Sequence, residues 1–416
     1  MAKEYSFSEL DALLSKVSPK GSIITENSYS RIDEFISLGN YVLNAQVSGS
    51  LFGGIPNSRS ICIAGESGTG KTFLTLNACR EAQKMGYNII YCDSEAAVDE
   101  EVIKNFGVDP SRFRYQPVST PLEVRHFVAN LCDQLKNIKA KGGAIPKVML
   151  VLDSLGNLAT MKERNDAMSG NDKKDMTKQQ ELRSLFRVIT ADLAELKIPF
   201  IFTNHTYAAV GSYIPGQVVS GGGGAIYNAS IILMLSKAGL KEGGDEAAAA
   251  GIQKTGIIVT SKPAKNRFAR PIPVKFHISF YKGMNPYVGL ESFINWENCG
   301  IQRGKLLDEK TFNKYIAGKP AEEVIGKTRF MHTDEDGVER PYYIEPKETA
   351  RTFVVRHLCA EIKPQELFTP RVINEEVLRE LDEKVIQPMF KLPNISEIDE
   401  IEEDEIISEV ELDGEE

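Results

Sequence analysis

The 416-residue chain is long enough to bury a large hydrophobic core, and its composition, 42% hydrophobic and 26% charged, is ordinary for a globular protein. The formal net charge of −9 is uneven, because residues 397–416 hold twelve acidic residues and no Lys or Arg, which leaves +3 for the rest of the chain. No apolar run reaches the roughly 18 residues of a membrane span, the first residues lack the apolar stretch of a signal peptide, and the six cysteines lack zinc-site spacing. The composition therefore excludes a membrane-spanning or zinc-finger protein and favours a cytoplasmic one with a disordered acidic tail.

The predicted elements begin with a short amphipathic helix over residues 4–16, with four apolar side chains on one face. This segment is either a helix packed on its own chain or an arm that docks on a neighbouring subunit. From about Arg31, buried apolar strands alternate with helices, a pattern that predicts a parallel sheet covered on both faces. In chain order the predictions are strand 60–64, helix 72–83, strand 88–92, helix 121–138, strand 148–152, helix 178–196 and strand 199–203.

The pattern changes after Ser230, where predicted strands 231–236, 255–261 and 273–280 follow one another without full helices between them. We expect these strands to extend the sheet in antiparallel fashion, with the segment KEGGDEAAAAG as a hairpin tip. A boundary is expected near Trp296. The predicted organisation is an N-terminal arm or oligomerisation segment (residues 1–34), an α/β core (35–297), a small C-terminal domain (298–395) and the acidic tail (396–416).

A glycine-rich loop, GESGTGKT, follows the first predicted strand and leads into a helix, and it fits the phosphate-loop pattern G-x-x-x-x-G-K-[ST]. Glycines let backbone N–H groups turn toward phosphate oxygens, and the helix N-terminus adds partial positive charge. Lys71 would reach the β- and γ-phosphates and take part in catalysis, and the Thr72 hydroxyl would bind Mg²⁺. The predicted residues of this site for ATP and Mg²⁺ are Gly65, Glu66, Ser67, Gly68, Thr69, Gly70, Lys71 and Thr72.

Acidic residues at two other strand ends complete the predicted site. Asp153 ends the apolar run VMLVLD, where a carboxylate beside a phosphate loop would make the second Mg²⁺ contact. Glu95, in YCDSEAA, would polarise the water that attacks the γ-phosphate. Asp93 competes with Glu95 for this role on the residues alone, and Ser154 is a candidate relay.

These pieces, in this order, resemble the RecA family of strand-exchange recombinases, and most closely its phage UvsX branch. The resemblance covers roughly residues 35–297, and its motifs are GESGTGKT, IIYCDSEAAVDEEVIKNFGVDP, VLDSLGNLATMKE, SLFRVIT and NHTY. It implies an α/β fold with a RecA-type P-loop ATPase core, whose mostly parallel central sheet is extended by antiparallel strands.

The resemblance also implies roles for individual residues. Glu95 matches the catalytic glutamate of the family, and Asp153 matches its Mg²⁺-linked aspartate. His205 matches the residue that senses the γ-phosphate and passes its state to a DNA-binding loop. Lys265 and Arg267, in KNRFARP, match a basic pair that reaches the neighbouring subunit's ATP, where cations stabilise charge on the transferring phosphoryl group.

Two segments after strand ends match the family's DNA-binding loops, residues 161–180 and the stretch from Thr206 to Gly224. The first mixes basic and acidic residues, so its composition alone would equally suit a mobile surface loop. The second is almost uncharged; its tyrosines would stack on bases or simply pack, and its glycines would form a hinge that starts at His205 or be merely slack. The predicted DNA-binding residues are Lys162, Arg164, Lys173, Lys174, Tyr207, Tyr213, Gly221 and Gly222.

The predicted function is ATP-dependent homologous recombination, in which helical filaments on single-stranded DNA catalyse homologous pairing and strand exchange. The alternatives are a hexameric RecA-fold replicative helicase, which usually has a larger N-terminal domain, and a regulatory RecA-like ATPase, which would tend to lack Glu95 or the second loop. Expected partners are single-stranded DNA, homologous duplex DNA, further copies of the chain, a recombination mediator and a single-strand-binding protein, with no membrane. The phage branch implies the cytoplasm of an infected bacterial host. Val102 stands where many family members carry an adenine-stacking tyrosine, so adenine recognition is expected to be weak or to lie elsewhere.

Overall fold

The computed structural model describes residues 6–18, 21, 23–24, 31–170, 177–208, 217–219, 229–240, 255–320, 324, 326, 328–334 and 336–393. Within them the α-helices are α1 Phe7–Val17, α2 Tyr41–Ser48, α3 Lys71–Lys84, α4 Glu100–Asn105, α5 Pro121–Ala140, α6 Met161–Ser169, α7 Lys178–Glu195, α8 Trp296–Cys299, α9 Glu309–Ile316, α10 Pro364–Leu367, α11 Glu375–Leu381 and α12 Gln387–Phe390. No helix in the described ranges combines the length and the apolar character that crossing a membrane requires.

The strands fall into a short N-terminal pair, one large sheet and a smaller C-terminal sheet. Their bounds are β1 Phe35–Ile36, β2 Ile55–Pro56, β3 Ser60–Gly65, β4 Asn88–Asp93, β5 Phe113–Pro117, β6 Val148–Asp153, β7 Phe200–Ala208, β8 Gln217–Val219, β9 Ile231–Leu240, β10 Gly256–Asn266, β11 Val274–Ser279, β12 Gly283–Met284, β13 Ile301–Leu307, β14 Arg329–Thr333, β15 Glu339–Pro346, β16 Phe353–Val355 and β17 Ala360–Ile362.

The large sheet runs in the order β12-β11-β10-β9-β3-β7-β6-β4-β5. In this order, neighbouring strands pair in parallel between β9 and β5, that is, among β9, β3, β7, β6, β4 and β5. Beyond β9, the strands β10, β11 and β12 pair antiparallel. The predicted parallel sheet with an antiparallel extension is therefore confirmed. The prediction was wrong for the strand over residues 231–236, because β9 pairs in parallel with β3 and the antiparallel part begins at β10. The insertion predicted as a hairpin tip lies outside the described residues, although β9 and β10, which flank it, pair with each other.

Both faces of the sheet are covered, which explains why its central strands are continuous apolar runs. Along β3, Ile61 and Ile63 join a cluster with α2, α3 and the antiparallel strands, whereas Cys62 and Ala64 face α5 and α7. The helix α5 begins with a capping box between Thr120 and Glu123. Each fully buried Leu or Ile on these faces stabilises the fold by about 1.5–3 kcal/mol.

Two segments interpreted as loops contain regular structure. Residues Met161–Ser169 form α6, which starts with a capping box in which Thr160 accepts from the Glu163 backbone. The strand β7 continues past His205 to Ala208 and pairs antiparallel with β8, so the second loop begins as a β-ribbon. The described parts of both segments are therefore mostly helix or strand, and residues 171–176, 209–216 and 220–228 lie outside the described ranges.

The C-terminal region contributes to the main core as well as to its own sheet. The strands β14-β15-β13-β16-β17 form an antiparallel sheet over a small cluster that includes Trp296. In contrast, Phe390 at the end of α12 is fully buried in the main cluster. Asp382 accepts hydrogen bonds from the Leu51 backbone at 2.7 Å and the Ser50 hydroxyl at 2.8 Å. Hydrophobic packing is thus continuous across the expected boundary near residue 298.

The N-terminal helix α1 buries no residue in this single chain. Its apolar face is exposed, with Phe7 68% and Leu14 53% accessible. The interpretation of α1 as a helix packed on its own chain gains no support from the structure.

Candidate nucleotide-binding site

The sheet brings the predicted phosphate loop and three polar residues of neighbouring strands to one edge. Gly65, the last residue of β3, lies opposite His205 on β7. On the same side of the sheet, Asp93 at the end of β4 lies opposite Asp153 at the end of β6. This edge, at the carboxyl ends of parallel strands, is where open α/β sheets bind their ligands.

The loop between β3 and α3 is built to accept an anion. Gly70 caps α3 in a left-handed conformation at φ +92°, and no side chain caps the helix, so its first N–H groups point into the loop. Lys71 is only 8% exposed, and its Nζ donates at 3.0 Å to the carbonyl oxygens of Gly65 and Glu66. Burial lowers the pKa of Lys71, against the opposing effect of nearby carboxylates. A polyphosphate in the loop would restore the favourable environment of this ammonium group.

The glycines of this loop leave room for backbone and side-chain atoms of β9 and β11. A Cβ at Gly65 would lie 2.8 Å from the Leu235 carbonyl oxygen, and one at Gly70 would lie 2.6 Å from Ile278 Cδ1. A Cβ at Gly68 would lie 2.7 Å from the Nζ of Lys237. The strands β9 and β11 therefore form a wall over the phosphate loop. Lys237 was not predicted as a site residue, because the sequence does not show that β9 lies beside β3.

Asp153 is the centre of a buried hydroxyl cluster. It is 2% exposed, and its carboxylate accepts from Thr72 Oγ1 at 2.8 Å, from the Tyr91 hydroxyl at 2.7 Å and from the Thr203 hydroxyl. The predicted ligand pair, Thr72 and Asp153, is thus in direct contact. Hydroxyl and carboxylate oxygens suit Mg²⁺, which usually takes few protein ligands and completes its shell with phosphates and water. The residues present fit this ion, and the described part of the chain holds no group of three or more His, Cys, Asp or Glu residues arranged as a metal site.

Glu95 lies in a second polar cluster beside the first. Its Oε1 accepts from Ser154 Oγ at 2.5 Å and lies 3.0 Å from Nε2 of His205. Burial alone would raise the pKa of Glu95, but the hydrogen bonds from Ser154 and His205 outweigh it, and the pKa is lowered. Glu95 is therefore ionised at neutral pH, and since a carboxylate only accepts, Nε2 of His205 carries the proton.

Asp93, the alternative to Glu95 as the group that activates water, is hydrogen-bonded by backbone N–H groups. Only 3% exposed, it accepts from the backbone N–H groups of Glu95 at 2.8 Å and Ala97 at 3.1 Å. These bonds shape the turn that presents Glu95, so the geometry favours Glu95 as the group that faces a nucleotide.

The predicted basic pair lies away from this edge. Lys265 on β10 is opposite Ile232 on β9, three residues back from Leu235, which lies opposite Gly65. At about 3.3 Å per residue this is about 10 Å along the sheet, and β10 is also two strands from β3. Arg267 follows further from the loop and lines a pocket at the start of β3 with Arg59. The pair therefore does not join the phosphate loop of its own chain.

The remaining predicted residues are only partly described. Lys162 and Arg164 are exposed on α6, and Tyr207 lies in β7. Val102, at the expected adenine-stacking position, packs partly buried against the core. The residues outside the described ranges are Lys173, Lys174, Tyr213, Gly221 and Gly222.

A phosphate loop, a Thr–Asp pair suited to Mg²⁺ and an ionised glutamate on neighbouring parallel strands define a P-loop ATPase. The family model described as the RecA N-terminal domain matches residues 9–285, and the chain belongs to the RecA family. It is 31% identical over 278 residues to the "Recombination and repair protein" of Enterobacteria phage T4, covering 65% of this chain and 67% of the relative. It is 29% identical to "Protein RecA" of Fusobacterium nucleatum over 68% of this chain and 70% of that protein, and 27% identical to "Protein RecA" of Haemophilus ducreyi over 68% and 71%.

Membership of this family confirms the predicted function. The chain is a DNA-dependent ATPase that uses ATP with Mg²⁺, binds single-stranded DNA and forms homo-oligomeric filaments. It acts as a recombinase for homologous pairing and strand exchange, and none of the relatives named above is a helicase by name.

Proposed function

We propose that each ATP in the filament binds between two protomers, one supplying the phosphate-loop edge and the next supplying Lys265 and Arg267. The observation that carries this proposal is the separation of the two sets within one chain. The phosphate-loop edge brings Lys71, Asp153 and Glu95 together, whereas the basic pair lies about 10 Å back along the sheet and two strands across. Two different surfaces that meet form a heterologous contact, which generates a helical filament or a ring.

On the phosphate-loop side, each residue has one task. The loop N–H groups and Lys71 bind the phosphates, and Thr72 and Asp153 would hold Mg²⁺, which when bound neutralises charge on the β- and γ-phosphates. Glu95 accepts a proton from the attacking water or orients it, and Ser154 holds the carboxylate in place at 2.5 Å. Ionised Glu95 is in the correct protonation state for this task at neutral pH.

His205 is the proposed link between hydrolysis and DNA. Its ring contacts Glu95, and its backbone belongs to β7, which continues directly into the β7–β8 ribbon. A γ-phosphate that displaces the His205–Glu95 contact would alter the root of this ribbon, a coupling between two sites. We propose that single-stranded DNA is contacted by residues of both segments. These are Lys162 and Arg164 on α6, Lys173, Lys174, Tyr207, Tyr213, Gly221 and Gly222.

The proposed role of Lys265 and Arg267 in the neighbouring site is tested by mixing two variants. Protomers with both residues replaced by Ala keep an intact Glu95, and E95Q protomers keep an intact basic pair. Each variant alone should hydrolyse little ATP, whereas a 1:1 mixture should recover activity, because about one heterologous interface in four combines the intact halves. A mixture no more active than its components would argue that both sets act within one chain.

Electron microscopy tests the assembly. With single-stranded DNA and a slowly hydrolysed ATP analogue we expect open helical filaments, and closed rings would instead favour the helicase alternative.

We also propose that the exposed face of α1 docks on a neighbouring protomer. A recombination mediator and a single-strand-binding protein would act with the filament. The filament would act on homologous duplex DNA in the cytoplasm of an infected bacterial host. The proposed division is the arm 1–34, the ATPase core 35–297, the C-terminal domain 298–395 and the acidic tail 396–416.

A further inference from the structure

Lys237 reaches the phosphate loop from the neighbouring strand. It lies on β9 two residues beyond Leu235, which is opposite Gly65 at the end of β3. Residues two apart on a strand share a face, so Lys237 continues the wall that Leu235 begins. Its Nζ donates a hydrogen bond of 2.6 Å to the carbonyl oxygen of Ser67.

This contact positions the loop backbone. Because the C=O and N–H of a trans peptide point in opposite directions, the N–H of Gly68 points away from the Ser67 carbonyl that Lys237 holds. The ammonium group occupies the space over Gly68, where an added Cβ would lie 2.7 Å from Nζ. Lys237 thus contacts the part of the loop that binds phosphate oxygens in this class of ATPase.

The charge of Lys237 also acts on the site. Lys71 has a lowered pKa, chiefly because it is buried and in smaller part because the positive charge of Lys237 is near. Two cations beside one loop repel each other until a polyanion lies between them. Unlike Lys71, which is buried, Lys237 is exposed.

We propose that Lys237 is a second nucleotide-binding cation of the same protomer, which positions the Ser67 peptide and adds positive charge beside the bound polyphosphate. The proposal deepens the proposed function and rests on it only in taking ATP as the ligand. It assigns to β9, the strand beside β3, a direct part in nucleotide binding.

The test compares K237M with K237R in the full-length protein, with K275M as the matched control. Lys275 is an exposed lysine on β11 of the same sheet, and it has no place in the site. Binding of a fluorescent ADP is measured with Mg²⁺ and without DNA, followed by kcat and KM for DNA-stimulated ATP hydrolysis. We expect K237M to raise Kd and KM by about tenfold with kcat within about twofold, because a charge-assisted contact is lost that acts on binding.

The Kd of K237R for ADP should lie within about threefold of the wild-type Kd, and the Kd of K275M should equal it. Added salt should reduce the difference in Kd between K237M and the wild type. Wild-type affinity in K237M would overturn the proposal, and so would a K237R defect equal to that of K237M, which would indicate packing instead of charge. A K237M defect confined to DNA affinity would also overturn it. Since ADP binding is measured without DNA or hydrolysis, failure here leaves the roles of Glu95 and the basic pair standing, and their failure leaves this measurement intact.

Discussion

Glu95→Gln separates catalysis from binding. The side-chain amide keeps an oxygen that can accept from Ser154 and His205, so the local hydrogen bonds at 2.5 and 3.0 Å are preserved in outline. It lacks a basic site, whereas Glu95, with its lowered pKa, is ionised at neutral pH. Loss of a general base costs about 10²–10⁴-fold in rate, or about 3–5 kcal/mol in the barrier. Removal of a negative charge beside the phosphates should leave ATP binding unchanged or slightly tighter.

The assay measures kcat and KM for ATP with saturating single-stranded DNA, together with filament lifetime after ATP is diluted. We expect kcat to fall by at least about a hundredfold, KM to stay within about threefold, and filaments to persist longer than in the wild type. Glu101→Gln is the matched control, because Glu101 is exposed in the first turn of α4 and contributes only a helix-dipole effect of about 0.3–1 kcal/mol. Turnover close to wild type in Glu95→Gln would remove Glu95 from the catalytic role.

Three further substitutions test the site and the fold. Ser154→Ala removes a hydrogen bond that lowers the pKa of Glu95 and leaves the burial that raises it, so this pKa should rise. The acidic limb of the pH profile of kcat/KM should therefore move to higher pH, and an unshifted limb would mean that another group titrates. Asp153→Asn leaves an amide among three hydroxyl donors and should raise the Mg²⁺ concentration for half-maximal hydrolysis by about tenfold or more; an unchanged Mg²⁺ requirement would place the metal elsewhere. Gly289 has φ +111°, and a Cβ there would lie 2.5 Å from a carbonyl oxygen, so Gly289→Ala should lower the free energy of unfolding in urea by about 3 kcal/mol or more. Gly318 has φ +84° but lies in open space, so Gly318→Ala should lower the same free energy by only about 1 kcal/mol. Equal losses in the two variants would contradict the clash at Gly289.

The sequence was sufficient to predict the phosphate-loop edge because parallel strands end together. Asp153, Glu95 and His205 each follow an apolar run, and one phosphate loop fixes which edge they share. The contacts of Tyr91 with Asp153 and of Lys237 with Ser67 could not be predicted in the same way. Each depends on which strands are neighbours, and strand order is a long-range property that local patterns do not contain.

The helix α6 shows a different limit. Its residues are mostly polar and none is buried, so no apolar face marks it, and the mixed charges suggested a loop. The available signal was local, namely the sequence T-x-x-E at Thr160 and Glu163, which forms the capping box. Weight on capping in addition to hydrophobic periodicity would have predicted this helix.

The position of the basic pair makes filament assembly a requirement for fast ATP hydrolysis in the proposed mechanism. A single chain holds the base, the metal-binding pair and the phosphate loop, but Lys265 lies about 10 Å back along the sheet and two strands across from Gly65. If Lys265 and Arg267 stabilise the charge on the transferring phosphoryl group, an isolated protomer binds ATP but hydrolyses it slowly. Assembly then brings these two cations of the neighbouring protomer to the ATP. Hydrolysis should then rise with protein concentration even at saturating ATP, in step with filament length. Because β7 carries His205 and continues into the β7–β8 ribbon, nucleotide state and DNA contact would depend on each other through this strand, and assembly would act on both through the basic pair.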